Sequence, residues 1–361
     1  MGAEKYKKAV DELVRLIRSG AYSKKGILPG EYELADKLGV ARETARKAIA
    51  ELVKRGLVER KRGVGTYLTK RGRRRTAILA LMIPDVTSAE IFKVFASEIE
   101  RLGHRNGYEV VRGEIKSRVH EKAVLEARRM ARKFAAERVE GVVFRPFIDE
   151  RMADINREIV RIFKNAEIPV VLLDSDVVAS PDRSECDLVA VDNVSAGRRV
   201  AEHLMEKGRD RVAFMMSGLS IRSNVNWRNR LFGVAGELAL GGVENAVKIL
   251  DFKPDDQDAL SRLYRSRFRP DAIVCGNDET AIILMRTLQK IGKRIPDDVA
   301  VVGFDDVACA ASSIPPLTTV SQPSKLIAKS ALRMLLARIA SPSIEVKDSY
   351  LPAPLVIRES T

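Results

Sequence analysis

The stretch that decides the fold runs from Leu28 to Leu68 and reads LPGEYELADKLGVARETARKAIAELVKRGLVERKRGVGTYL. Apolar residues recur at three- and four-residue spacing over 31–38 and again over 42–54, which predicts two amphipathic helices. Gly39 stands between them, where a residue in the left-handed conformation can end the first helix and turn the chain. Residues 57–68 then predict two short strands around a basic hairpin tip that contains two glycines.

This order of elements predicts a winged helix-turn-helix, in which the second helix enters the major groove of DNA. The exposed face of that helix carries arginine, lysine and threonine, which are side chains that reach base edges and phosphates. The basic hairpin tip has the composition of a wing that holds phosphates or the minor groove. The candidate DNA contacts are Arg42, Glu43, Thr44, Arg46, Lys47, Arg62, Gly63, Gly65 and Thr66.

The spacing of this stretch resembles the GntR family of bacterial regulators. The family pattern is Leu-Pro-x-Glu-x-x-Leu-Ala, then Gly-Val-x-Arg-x-Thr-x-Arg, then a Gly-x-Gly-Thr wing, and here these runs begin at Leu28, Gly39 and Gly63. The chain departs from the pattern at Tyr32, where the family often has arginine, and at Ala41, where the usual helix cap is serine or threonine. Loss of that cap is expected to cost about 0.5–2 kcal/mol of local helix stability.

The positive charge is concentrated at the N-terminus. Of the net charge of +14, residues 1–75 supply +12, from 21 Lys and Arg against 9 Asp and Glu. This asymmetry indicates a polyanion-binding head on a near-neutral body. An anionic membrane surface is the competing partner, but it favours a helix with bulky aromatics on its apolar face. The helix expected at 5–19 has an ordinary core face, so no membrane partner is predicted.

Composition and motifs favour a cytoplasmic protein that is not an enzyme. No apolar run approaches the roughly 20 residues of a membrane span, and the charged N-terminus lacks a signal-peptide core. The three cysteines are widely spaced and form no metal motif. The chain contains no Gly-x-Gly-x-x-Gly, no P-loop and no Gly-x-Ser-x-Gly. No catalytic residues, metal ligands or cofactor are therefore predicted.

After the basic segment 71–76 the character of the sequence changes. That segment has no hydrophobic period and is predicted to be a linker. Strand-like runs then alternate with helical patterns from residue 78 to residue 302. Such alternation implies parallel sheets covered by helices. The predicted fold class is therefore α/β, with an N-terminal winged helix-turn-helix joined to a larger parallel-sheet domain.

Residues 77–358 resemble the effector domain of the LacI/GalR family, which has the two-lobed type I periplasmic-binding-protein fold. The resemblance rests on six motifs in order, at Ile168–Asp174, Val191–Asn193 with Gly197, Arg230–Gly233, Asp271–Asp278, Val301–Asp306 and Pro315–Pro323. It implies two Rossmann-like parallel-sheet lobes with a ligand cleft between them. The chain is expected to cross between the lobes near Asp192, Asp305 and Gln322.

Together the two resemblances imply a domain plan typical of sugar-responsive regulators of the arabinose-repressor type. They also imply a homodimer, a pseudo-palindromic DNA operator and a small-molecule effector, with a sugar as the family default. The expected domains are a DNA-binding head at 1–70, a linker at 71–76 and an effector-binding and dimerisation domain at 77–361. Within the last, the N-lobe is expected at about 77–191 and 323–342, and the C-lobe at about 192–320 and 345–361.

Arg230 and Asp305 align with the effector-contacting arginine and aspartate of the LacI/GalR family. Guanidinium and carboxylate groups can each form two charge-assisted hydrogen bonds with neighbouring hydroxyls, although the two side chains could also simply pair. Asn277 is either a ligand contact or a helix cap, and Trp227 either stacks on a sugar or packs on its own lobe. The candidate effector contacts are Arg230, Asp305, Asn277, Trp227, Phe252, Asp174, Ser88 and Phe92.

Two functions follow from these observations. The first is a sequence-specific transcription regulator, a repressor by family default, whose operator affinity is controlled by a bound sugar. The alternative is a cytosolic sugar-binding receptor that acts through protein partners and uses the head as an interaction module. The basic bias of residues 1–75 favours the regulator.

Overall fold

The computed structural model describes residues 2–18, 21–22, 26–61, 64–69, 72, 77–84, 90–115, 117, 119–179, 181–216, 224–243 and 247–361. The chain divides into two compact units. One comprises Met1–Ala80 with Glu100–Val111, and the other comprises Leu81–Ile99 with Arg112–Thr361. Among the described residues, no helix is long and apolar enough to cross a membrane.

The head has the elements that the sequence predicts. They are α1 (Gly2–Arg18), α2 (Glu31–Leu38), α3 (Arg42–Lys54), β1 (Val58–Lys61) and β2 (Gly65–Leu68). The two strands pair antiparallel, and Ile27 adds a bridge to Tyr67. Helix α2 ends at Gly39, which has a φ of 62°, so the left-handed turn predicted there is confirmed. Helix α3 begins after Ala41, whose side chain provides no capping hydrogen bond.

One apolar cluster holds the head together. Buried residues of α1 meet buried residues of α2, α3 and the hairpin, among them Leu13, Leu34, Ile49 and Leu68. The 3/4 spacing of the apolar residues places them on one side of each helix, and the charged residues are left on the other. The recognition surface of α3 is therefore fixed by the packing of its opposite face.

The rest of the chain alternates strands and helices. The elements up to residue 191 are β3 (Ala77–Met82), α4 (Glu90–Arg105), β4 (Tyr108–Gly113), α5 (His120–Ala136), β5 (Gly141–Phe144), α6 (Ala153–Asn165), β6 (Val170–Leu173) and β7 (Asp187–Val191). The elements that follow are α7 (Asn193–Glu206), β8 (Val212–Met215), α8 (Val225–Leu240), β9 (Val247–Leu250), α9 (Gln257–Arg265), β10 (Ala272–Cys275), α10 (Asp278–Lys290), β11 (Ala300–Asp305), α11 (Ala308–Ser312), β12 (Thr318–Ser321), α12 (Ser324–Ala340), β13 (Asp348–Leu351) and β14 (Leu355–Val356).

Two six-stranded sheets form the cores of the N-lobe and the C-lobe. The N-lobe sheet has the order β4-β3-β5-β6-β7-β13, and the C-lobe sheet has the order β9-β8-β10-β11-β12-β14. Both are doubly wound, and their strand order reverses beside β3 in one and beside β8 in the other. Open sheets of this kind bind ligands at the carboxyl ends of the strands, at the reversal point.

Two details of the predicted lobes are wrong. Strands β11 and β12 pair in parallel within one sheet, so the chain does not cross between lobes near Asp305. Strand β13 pairs with β7, with Tyr350 opposite Ala190, so the second C-lobe segment cannot begin at residue 345. The chain returns to the C-lobe sheet only at β14, which pairs antiparallel with β12. Strands β13 and β14 are short edge strands without a clear apolar alternation, so the sequence does not indicate that they belong to different sheets.

Candidate DNA-binding surface and ligand cleft

Helix α3 presents a charged surface opposite its buried face. Arg42, Glu43, Arg46 and Lys47 are exposed, whereas Thr44 is half-buried. Arg46 donates to Glu43 at 2.9 Å, and each of these side chains is 57% exposed. An ion pair at this exposure is worth about 0–1 kcal/mol, so a phosphate can replace it easily.

The structure describes the two strands of the wing and part of the turn between them. Arg62 and Gly63, two of the predicted DNA contacts, lie outside the described residues. Gly65 is exposed and has a φ of 141°, a value that an L side chain rarely adopts, so this position requires glycine. Thr66 is half-buried, and its carbonyl accepts a hydrogen bond from the backbone N–H of Leu28 at 2.9 Å. The backbone of Thr66 therefore ties the wing to the segment that leads into α2.

The structure adds three residues to the candidate surface. Arg42 Nη1 donates to the Tyr32 hydroxyl at 2.6 Å, and the guanidinium lies 4.1 Å from the centre of the Tyr32 ring. Glu31 accepts a 2.9 Å hydrogen bond from Arg60 with one oxygen and lies 3.5 Å from Arg42 Nε with the other. The sequence showed these residues beside the motif, but nothing in it indicated that β1 and α2 would meet at Arg42.

Arg230 is the centre of the second site. It lies in α8, its side chain is 4% exposed, and burial lowers the pKa of its guanidinium. Nε donates to Asn193 at 2.8 Å and Nη1 donates to the carbonyl of Gly276 at 2.5 Å. The guanidinium also lies 4.5 Å from the centre of the Phe304 ring. These contacts fix Arg230 in one orientation toward the loops that follow the C-lobe strands.

Two glycines explain how Arg230 is placed. A Cβ added to Gly197 would collide with the Arg230 carbonyl oxygen, and one added to Gly233 would collide with the carbonyl of Val194. Helices α7 and α8 therefore touch backbone to backbone. Sequence reasoning quoted both glycines as motif residues, and close helix packing supplies their physical reason.

Asp305 is the second charged group of this cluster. It accepts a hydrogen bond from Gln322 at 2.5 Å and lies 3.8 Å from Arg230 Nη2. Its φ is 119°, and strained backbone of this kind is common at ligand sites. Burial raises its pKa to about 6, against the lowering effect of Arg230. The neighbouring Asp306 pairs instead with Arg358 at 2.7 Å.

The N-lobe supplies a matching pair. Asp174 has a φ of 74° and accepts a hydrogen bond from Arg145 at 3.2 Å. Arg145 lies 4.2 Å from the centre of the Phe92 ring and is buried at the end of β5. A small cleft is lined by Phe92, Asp174 and Gln322, among others. Sequence reasoning missed Arg145, because the strand that ends at Phe144 carries no motif.

The remaining predicted effector residues are distributed differently. Asn277 accepts a hydrogen bond from the Thr280 N–H at 3.0 Å and caps α10. Trp227 is buried in the first turn of α8 with its ring against Gly276, so it packs on its own lobe. Phe252 packs against the C-lobe core cluster, and Ser88 lies outside the described residues. The structure therefore places Arg230 beside Asp305, and Asp174 and Phe92 beside Arg145, whereas it does not bring the other four into these clusters.

One further buried carboxylate lies at the start of α10. Asp278, fully buried in the first turn of α10, accepts hydrogen bonds from the Thr319 hydroxyl and, at 3.0 Å, from the Val307 N–H. Burial raises its pKa to about 7, and the nearby Asp305 adds to that increase. Asp278 therefore joins α10 to the segments around Val307 and Thr319.

Comparison with known proteins agrees with this geometry. Residues 5–68 match the family described as bacterial regulatory proteins, gntR family, and residues 201–361 match the periplasmic binding protein-like domain. The chain is 27% identical to an arabinose metabolism transcriptional repressor of Halalkalibacterium halodurans, with 99% of this chain and 96% of the relative covered.

Two solved structures share the fold. A transcriptional regulator CelR–cellobiose complex gives a TM-score of 0.66 at 24% identity, with 92% of this chain and all of that chain covered. The lac repressor dimer bound to operator and an anti-inducer gives a TM-score of 0.64 at 21% identity, with 82% of this chain and 99% of that chain covered.

These findings define a DNA-binding transcription regulator with a two-part build. The chain combines a GntR-family winged helix-turn-helix with a two-lobed periplasmic binding protein-like domain, so the predicted fold class is confirmed. The predicted resemblance to arabinose repressors is confirmed as well, over nearly the full length. The relatives are repressors rather than enzymes, which supports the prediction that this chain catalyses no reaction.

Proposed function

We propose that this regulator represses sugar-utilisation genes and that a sugar bound between the two lobes controls its affinity for the operator. The observation that carries the proposal is the buried pair Arg230 and Asp305, 3.8 Å apart, beside a cleft of the N-lobe. Neutral sugars present many hydroxyls, and each can bridge a guanidinium and a carboxylate with charge-assisted hydrogen bonds. A relative named for arabinose metabolism and a structural neighbour that holds cellobiose support a sugar as the ligand class.

In the head, α3 is proposed to read the operator. Arg42 and Arg46 contact base edges or fix the register, and Lys47 and the wing hold phosphates. Two heads related by twofold symmetry in a homodimer would recognise a pseudo-palindromic operator in the cytoplasm. The structurally similar lac repressor is a dimer on its operator, which supports this arrangement.

The two sites communicate through the conformational equilibrium of the effector domain. A ligand that touches both lobes favours the closed cleft, because it makes its full set of hydrogen bonds only there. The effector changes operator affinity only as far as it discriminates between the two states, typically by about 1–3 kcal/mol.

The test of the ligand class is thermal unfolding of the full chain with a panel of pentoses, hexoses, uronates, disaccharides and sugar phosphates. A ligand at about 100 times its Kd adds about 2.7 kcal/mol to the native state, which gives an easily measured rise in melting temperature. Stabilisation by one class of sugar would support the proposal. The absence of stabilisation by every compound in the panel would contradict a sugar effector.

The test of the head is the salt dependence of binding to a duplex enriched by the protein from a random pool. Several neutralised phosphates predict a steep loss of affinity between about 50 and 200 mM salt. A flat response would favour the alternative in which the head is a protein-interaction module.

A further inference from the structure

Tyr32 occupies a place in the head where the GntR pattern often has arginine. It lies in the first turn of α2, and its side chain is 70% exposed. Its hydroxyl accepts the 2.6 Å hydrogen bond from Arg42, and its ring lies beneath the guanidinium at 4.1 Å. Both contacts of this exposed tyrosine are made to Arg42, so they restrict the orientation of the Arg42 side chain.

The guanidinium of Arg42 is held at two of its three nitrogens. Tyr32 accepts from Nη1, and Glu31 lies 3.5 Å from Nε. Nη2 is engaged by neither contact, and the side chain as a whole is 55% exposed. The guanidinium carbon also lies 4.1 Å from the centre of the Tyr32 ring, which is a cation–π distance. Arg42 therefore leaves the protein surface in a defined direction at the start of the recognition helix.

We infer that Tyr32 is a positioning residue that directs Arg42 toward one base edge and thereby sets the base preference of the head. This inference rests on the proposed function, in which Arg42 reads the operator. A flexible arginine loses its freedom of rotation when it binds, and an arginine already held in its bound direction loses less. Bidentate recognition of guanine also depends on the orientation of the guanidinium, which the two contacts with Tyr32 restrict.

Arginine at position 32 would act differently. It would repel Arg42 and would add a cation for the phosphate backbone, which carries no sequence information. Tyrosine is neutral, and because its oxygen accepts from Arg42, its own proton remains to be donated outward. Compared with arginine, tyrosine at position 32 therefore adds no general attraction to the DNA backbone, but it controls the orientation of Arg42.

The experiment measures base preference with the full-length protein. The wild type enriches duplexes from a random pool, and the consensus and its single-base variants are then titrated by fluorescence anisotropy. Tyr32→Phe keeps the ring and removes the hydroxyl, and we expect it to weaken consensus binding by about two- to tenfold. Arg42→Ala is expected to lose discrimination at one base position. On duplexes changed at that position, Tyr32→Phe should lose less affinity than it does on the consensus.

A double-mutant cycle separates positioning from a direct contact. In the Arg42→Ala background, Tyr32→Phe is expected to change affinity by less than about 1.5-fold, because nothing remains for Tyr32 to orient. Tyr350→Phe removes the hydroxyl of a similarly exposed tyrosine on β13 and serves as the matched control, with no expected change. Equal melting temperatures of all variants would show that folding is not the cause.

A uniform loss across all sequences, or the same loss without Arg42, would overturn the inference and make Tyr32 a backbone contact. An unchanged Tyr32→Phe profile would overturn it as well, and the proposed DNA-binding role would stand. Failure of the wild type to enrich any sequence would overturn the proposed role itself, together with the inference. Loss of discrimination at the single Arg42-dependent position supports it.

Discussion

The head and the cleft both use arginine–carboxylate pairs, but the pairs differ in burial. On α3 the side chains of Arg46 and Glu43 are each 57% exposed, whereas Arg230 and Asp305 are 4% and 16% exposed. Exposed charges exchange partners at little cost, which suits a surface that must bind a polyanion. Buried charges have lost their water, so a ligand that enters must satisfy them with well-placed hydrogen bonds.

This difference in burial gives the head affinity for any polyanion and gives the cleft selectivity for a particular neutral ligand. Exposed pairs on the head respond to salt and to any phosphate backbone. The cleft responds to the hydroxyl pattern of a neutral ligand and should be nearly indifferent to salt.

The largest effect is expected where α7 and α8 touch. Gly197→Ala would press a methyl group into the Arg230 carbonyl, so the helices must separate and Arg230 must move. We expect a loss of more than about 3 kcal/mol in the free energy of unfolding of the effector domain. Gly236→Ala, on the open side of α8, is the matched control and should be neutral or stabilising by about 1 kcal/mol. Thermal and urea unfolding measure both, and equal stability of the two variants would refute the backbone contact.

The next effect concerns pH. Burial raises the pKa of Asp278 to about 7, and that of Asp305 to about 6. An acid whose pKa is higher in the folded than in the unfolded state binds a proton more tightly when folded. Stability should therefore fall as pH rises from about 4, where unfolded aspartate titrates, to about 7.

Asp278→Asn should remove most of this dependence. The neutral amide avoids a buried charge. We therefore expect the free energy of unfolding of the variant, relative to that of the wild type, to be about 2–3 kcal/mol higher at pH 8 than at pH 5. Urea unfolding at both values measures it, with the exposed Asp258→Asn as the matched control. A pH profile like that of the wild type would mean that Asp278 is ionised in the folded protein.

A smaller effect separates the two sites. Arg230→Lys keeps the charge but loses the forked geometry, so sugar affinity should fall by about ten- to a hundredfold while DNA binding persists. Arg42→Ala should weaken operator binding by a similar factor and leave sugar binding intact. Calorimetry with the sugar and anisotropy with the enriched duplex give both readouts. Loss of both activities in either variant would contradict the separation.

The smallest effect lies at the start of α3. Ala41 has the extended backbone of a helix cap, but its side chain forms no capping bond, so Ala41→Ser should stabilise the head by about 0.5–1 kcal/mol. Ala50→Ser makes the same change at an exposed position inside the helix and should be slightly destabilising. Thermal unfolding compares them, and a stabilising Ala50→Ser would rule out capping as the cause.

The sequence predicted most of the head because its signals are local. Helices α2 and α3 have the predicted bounds, since apolar spacing and Gly39 define them without reference to distant residues. The Arg42–Tyr32 contact could not be predicted in the same way. It depends on the angle between two helices, which only the packed structure provides.

The cleft was less predictable for a related reason. Arg230 and Asp305 were found through motifs, but Arg145 and the role of Asp278 depend on the order of strands in the sheets. The sequence left the place of Trp227 open, because the first turn of α8, which Asn224 caps, lacks a strong apolar period. The passage of the chain from β13 in the N-lobe sheet to β14 in the C-lobe sheet likewise has no local signal in the sequence.

The measurement that tests the central claim most directly is operator affinity with and without the stabilising sugar, by anisotropy on the enriched duplex at constant salt. We expect saturating sugar to weaken binding by about 5- to 150-fold, and we expect Arg230→Lys to require a proportionally higher sugar concentration for the same change. Unaltered operator affinity in a wild type shown to hold the sugar would contradict control of the head by the cleft.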